Sequence, residues 1–137
     1  MVPINYLVVL VAAVANMVLG SLWYGPLFGK KWMALSGVNS QTMGKNGMGK
    51  TYALAFGGSF LMAWVLAHAF VFAATYLNMW GPQSGLMAGF YNWLGFVVPV
   101  TLSSVLWEGK SWKLWCLNSS YYLVALMTMG LIIASWM

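Results

Sequence analysis

Four runs of about 20 or more mostly apolar residues, at about 4–24, 51–77, 85–106 and 113–136, dominate this chain. As helices rising 1.5 Å per residue, each is long enough to cross the hydrocarbon core of a bilayer. Composition points the same way. The chain is 62% hydrophobic and 5% charged, whereas a soluble domain carries roughly a quarter charged residues. Water cannot solvate such a surface, so lipid is its expected solvent. The fold class is therefore all-α: an integral membrane bundle of four transmembrane helices in a single domain, residues 1–137. No stretch is left for a second domain. A cleaved leader is not expected, although Ala13-Val14-Ala15 matches the small-residue pattern. Met1 to Tyr6 carry no lysine or arginine, and the apolar run continues past the site.

Charge orients the bundle. All six lysines (Lys30, Lys31, Lys45, Lys50, Lys110 and Lys113) flank the hinges after the first and third runs, and there is no arginine. The positive-inside rule puts those hinges in the cytoplasm and both termini outside, as in a multi-pass protein of the cell (inner) membrane. A net charge of +5 spread this way serves topology and lipid headgroups. It does not suggest nucleic acid. The bilayer is the expected partner, together with a homo-oligomer or a larger membrane complex, because four small helices bury little of themselves.

The hinge from Leu106 to Trp115 holds Glu108, the sole acidic residue, beside Lys110, Lys113 and three tryptophans. Glu108 has three open roles: an ion pair with Lys110 or Lys113, a cap for the helix beginning near Lys113, or a protonatable group at an inner vestibule. In the other hinge Gly25-Pro26 is expected to stop the first helix. Phe28, Trp32, Met33 and Leu35, with lysines between, then form a short interfacial helix. Pro99 predicts a kink in the third span. Small residues at Ala53, Gly57, Ala63, Ala67, Ala69 and Ala73 suggest that the second span is central, and Gly85-x-x-x-Gly89 marks a close-packing face on the third. The two hinges also share a Leu-Trp-x-Gly…Lys-x-Trp likeness, the basis for a candidate 2+2 parallel repeat.

Few residues carry chemistry. Gly44 to Thr51 spells G-x-x-x-x-G-K-T, yet no strand is expected before it and the chain has no aspartate for magnesium. Nucleotide binding is not expected, and a lipid phosphate at that helix start is the milder reading. His68, Asn16 and Asn92 lie within spans at depths that allow one shared polar pocket. The preferred reading is that each is an interhelical hydrogen-bonding group. One histidine with no aspartate cannot fill a coordination sphere, so no metal is expected. With one histidine, one glutamate and no aspartate there is no catalytic triad, and neither an enzyme nor a cofactor is expected. The lone Cys116 reads as a small packed hydrophobe. Asn118-Ser119-Ser120 falls inside a span on the cytoplasmic side and is discarded as a glycosylation site.

Two stretches carry a family likeness. Trp23-Tyr24-Gly25-Pro26-Leu27-Phe28-Gly29-Lys30-x-Trp32 forms one. Leu106-Trp107-Glu108-Gly109-Lys110-x-Trp112-Lys113-Leu114-Trp115, followed by Asn118 and Tyr121-Tyr122, forms the other. In these, and more loosely over Lys45 to Tyr52, the chain resembles the uncharacterised bacterial family called domain of unknown function 1761. The likeness covers nearly the whole chain in the same order. It implies a small four-span membrane protein, supplies no activity, and directs attention to the two hinges. The functional expectation is a non-catalytic subunit or structural component of a membrane assembly. The alternative is a small oligomeric transporter or channel, with His68 and Glu108 for proton coupling or gating and the asparagines lining the path.

Overall fold

The structure, a computed structural model, describes residues 3–37 and 48–136, and every regular element among them is helical. Helix α1 (Tyr6–Leu22) starts at Asn5, whose side chain accepts from the amides of Leu7 and Val8 at 3.1 and 3.4 Å. That cap satisfies donors a helix start leaves orphaned. Gly25-Pro26 does not stop the helix, contrary to expectation. The backbone widens into a π-helical turn over Trp23–Leu27, closed by Phe28 N–H donating to the Trp23 carbonyl at 2.8 Å. Proline lacks a donor and crowds the carbonyl four residues back. A wider turn accommodates both defects without ending the helix.

The chain then folds back into α2 (Gly29–Ser36), the short helix expected there. Gly29 is needed at this elbow. A Cβ on it would lie 2.6 Å from the Tyr24 carbonyl oxygen, while one on Gly25 would meet nothing within 4 Å. Gly29→Ala is therefore expected to lever α2 off the bundle and cost about 1–3 kcal/mol. Gly25→Ala should stay within about 0.5 kcal/mol of the parent. Denaturation midpoints of the purified protein in mild detergent check the pair, and equal midpoints would contradict the elbow.

Helix α3 (Met48–Leu77) ends in a left-handed cap at Asn78, with φ 53°, and Met79 N–H reaches back to the Ala74 carbonyl at 3.0 Å. The first part of the P-loop-like match, with Lys45, lies outside the described residues, whereas Gly49, Lys50 and Thr51 belong to the opening turns of α3. The third span is one continuous helix, Pro82–Leu106, made irregular by a widened turn before Pro99. It comprises α4 (Pro82–Asn92), a π-helical turn (Trp93–Val97), α5 (Val98–Thr101) and α6 (Ser103–Leu106). Pro99 sits at the start of α5, just past the widened turn, so the disruption its missing donor predicts falls on the turn before it. Helix α7 (Trp112–Ser135) is capped by Ser111, which accepts from Leu114 N–H at 3.1 Å. Glu108 is thus not the cap.

The apolar core fills one half of the bundle. Val8, Val9 and Ala12 of α1, Ala63, Ala67 and Phe70 of α3, and Met129 and Ile133 of α7 pack there. Helix α7, not α3, is the central element: 44% of its span is buried, against 33% for α3. The small residues of α3 divide accordingly. Ala63 and Ala67 are buried, while Ala53, Gly57 and Ala73 are exposed. On α4, Gly85 and Gly89 lie directly against the α7 backbone at Gly130 and Leu126. The close-packing reading of that motif therefore holds.

Candidate functional site

Polar groups replace the apolar core in the other half, toward the lysine-bearing hinges. Asn16, 7% exposed, donates through Nδ2 to Ser59 Oγ at 2.7 Å and accepts through Oδ1 from the Tyr121 hydroxyl at 2.7 Å. One amide thus joins α1, α3 and α7 at a common depth. By helical rise, Asn16, Ser59 and Tyr121 each lie about 14–17 Å from the lysine-bearing ends of their spans. One layer further out, Tyr24 donates to Asn118 Oδ1 at 2.7 Å, and its ring sits 5.2 Å from Tyr121 and 5.5 Å from Trp32. Tyr122 lies 5.3 Å from Tyr121. These contacts bring Tyr24 and Trp32 of the first hinge together with Asn118, Tyr121 and Tyr122 of α7, which are far away in the chain.

Above this layer α1 and α3 diverge. Thr51 to Ala55 of α3 are exposed, and a cleft of about 740 Å³ opens between α1, α3 and α7. Asn16, Ser59 and Tyr121 floor it, Tyr24, Thr51, Tyr52 and Tyr122 supply further hydroxyls, and Gly20, Ser21, Ala55 and Gly58 keep its walls low. The side chains have no carboxylate or imidazole among them, so the cleft offers hydrogen bonds and shape rather than acid–base chemistry.

The expected pocket of His68, Asn16 and Asn92 does not form. His68 spends its Nδ1 on the Trp64 carbonyl of its own helix at 2.8 Å and lies in a ring stack with Trp64 and Phe72, at 4.7 and 6.1 Å. Asn92 turns its Nδ2 to the Ala88 carbonyl, also on its own helix, at 2.8 Å. Depth alone was a poor guide, because helical residues at similar depth can point in different directions. Glu108 is exposed, with Trp107, Gly109 and Lys110, on a non-helical hinge, and it makes no ion pair among the described residues. Exposed lysines beside it gain little from pairing. Cys116 is exposed, contrary to the expectation of a packed thiol. Among the described residues no three His, Cys, Asp or Glu side chains converge.

Of the hinge residues, Trp23 packs on Phe28 at 4.7 Å, Trp112 on Trp115 at 6.1 Å, and Trp107, Lys30, Lys110 and Lys113 are exposed. Pro26 lies within the first π turn. Two bonds tie the third span to α7: Trp93 Nε1 donates to the Ser119 carbonyl at 2.8 Å, and Trp115 Nε1 to Thr101 Oγ1 at 3.0 Å. Ser59 is a site residue that the sequence does not single out, although a serine after Gly57-Gly58 at the depth of Asn16 is a ready interhelical partner.

Four helices long and apolar enough to cross a membrane define a small helical membrane protein. The chain belongs to the family described as Protein of unknown function (DUF1761), whose match spans residues 7–134. Comparison with curated proteins and with solved structures finds no match.

Proposed function

We propose that this protein is a non-catalytic component of a membrane assembly, and that its cleft receives a transmembrane helix from another subunit. The observation behind this reading is the cleft between α1 and α3, whose walls are small and whose floor is hydroxyl and amide. Small residues let a second helix backbone approach, and in lipid such packing and interhelical hydrogen bonds supply the association that water would otherwise drive. Thr51, Tyr52 and Tyr122 offer those bonds at its rim. By the positive-inside rule the cleft lies in the cytoplasmic half of the bilayer, with both termini outside. The transporter reading lacks comparable support, because His68 is committed to its own helix and Glu108 lies on an exposed hinge.

Two neighbouring glycines make the test. Gly57 and Gly58 each have open space where a side chain would go, yet only Gly58 lines the cleft. A side chain at either position therefore starts in open space, and Gly57→Trp controls for the added indole. After mild extraction from native membranes, intact-complex mass analysis should find the parent and Gly57→Trp bound to a stoichiometric second protein, and Gly58→Trp released from it. A parent that carries no second protein, or a Gly58→Trp variant that keeps it, would sink the reading.

A further inference from the structure

A second groove lies at the lysine-bearing end, between the elbow that follows α1 and the start of α7. Its volume is about 410 Å³, and Trp23, Phe28, Lys31, Trp112, Lys113 and Ser120 line it. Two elements distant in sequence each contribute a lysine. Their neighbours Lys30 and Lys110 do not line the groove, and neither does Glu108, the only carboxylate side chain of the protein. Two like charges drawn to one concavity repel unless an anion sits with them. The opening turn of the 24-residue α7 adds the positive end of a long helix at the same place.

The groove also has an apolar exit. Trp112, Cys116, Ser120 and Val124 recur every four residues and are all exposed, so an open stripe runs from the groove down α7 into the membrane. An inorganic ion has no use for such a stripe, whereas an acyl chain does. We propose that the groove is the headgroup site of an anionic phospholipid, with its phosphate between Lys31 and Lys113 and an acyl chain along the exposed stripe of α7. Tryptophans at the rim suit the same depth, where headgroup meets hydrocarbon.

The probe is phosphatidylglycerol, titrated onto the purified full-length protein in mild detergent and read by native mass spectrometry. Lys31→Gln/Lys113→Gln is expected to weaken its binding about tenfold or more. Lys30→Gln/Lys110→Gln, which removes the same charge outside the groove, should change it less than about threefold. Lys31→Arg/Lys113→Arg should keep the parent's affinity, which separates lost charge from lost folding. Equal weakening by the two glutamine pairs would reduce the effect to diffuse surface charge and overturn the site. Phosphatidylcholine binding as tightly as phosphatidylglycerol would overturn its selectivity for an anion. Displacement of the lipid by excess inorganic phosphate would overturn the lipid assignment in favour of a soluble phosphate.

Discussion

Gly130→Val is expected to separate the third span from α7 and to cost about 3 kcal/mol or more, the upper end for overpacked sites. The reason is that backbone meets backbone here. A Cβ built on Gly130 falls on the Gly85 carbonyl, one built on Gly85 falls on the Gly130 carbonyl, and one on Gly89 meets the Leu126 carbonyl and the Met127 Cα. A flexible side chain would rotate out of the way, but a helix backbone has to translate. Gly85 and Gly89 are the only buried residues of this span, so the glycine contact is its main packing attachment, supplemented by the Trp93–Ser119 and Trp115–Thr101 hydrogen bonds. Gly95→Ala is the control, since a Cβ there meets nothing within 4 Å. It should stay within about 0.5 kcal/mol of the parent. Unfolding of both variants in detergent by a denaturant series measures the difference. A Gly130→Val midpoint at the parent's value would mean that α4 and α7 are not in backbone contact.

Much of this architecture is legible from the amino acids alone, and the illegible parts share a cause. Length and apolarity determine four spans because lipid tolerates few alternatives. Gly85-x-x-x-Gly89 announces a close approach because only small residues permit one. Centrality is different. When every face of a helix is apolar, hydropathy cannot separate lipid from protein. Ala63 and Ala67 are buried, yet Gly57, which belongs to the same run of small residues, has nothing within 4 Å of where a Cβ would sit. Prolines are ambiguous for a related reason. Pro26 states that a donor is missing, but whether the helix stops or widens depends on the contacts that follow. Here α2 doubles back so closely that Gly29 abuts the Tyr24 carbonyl. Among the polar candidates, Asn16 and Asn118 find partners on other helices, whereas His68 and Asn92 are satisfied within their own. Both outcomes silence a buried polar group, and chain position alone does not choose between them.

Asn16→Ala should be the most damaging polar substitution, because one amide serves two helices. Its loss leaves Ser59 Oγ without its donor and takes Oδ1 from the Tyr121 hydroxyl, which keeps only the Asn16 carbonyl at 3.2 Å. The expected cost is about 2 kcal/mol, somewhat above the usual value of a single interhelical bond in lipid. Tyr121→Phe removes one bond and should cost about 1 kcal/mol. The two losses should not add, because each destroys the same Asn16–Tyr121 bond. A double-mutant cycle on unfolding free energies should therefore return a coupling of about 0.5–1.5 kcal/mol, and a coupling near zero would show that the amide and the phenol are not bonded. The cycle bears on function as well as stability. This network floors the cleft between α1 and α3, so its loss should loosen the floor while leaving the apolar core of Phe70, Met129 and Ile133 in place. If the cleft seats a partner helix, Asn16→Ala should release that partner under conditions in which the four-helix protein itself remains folded.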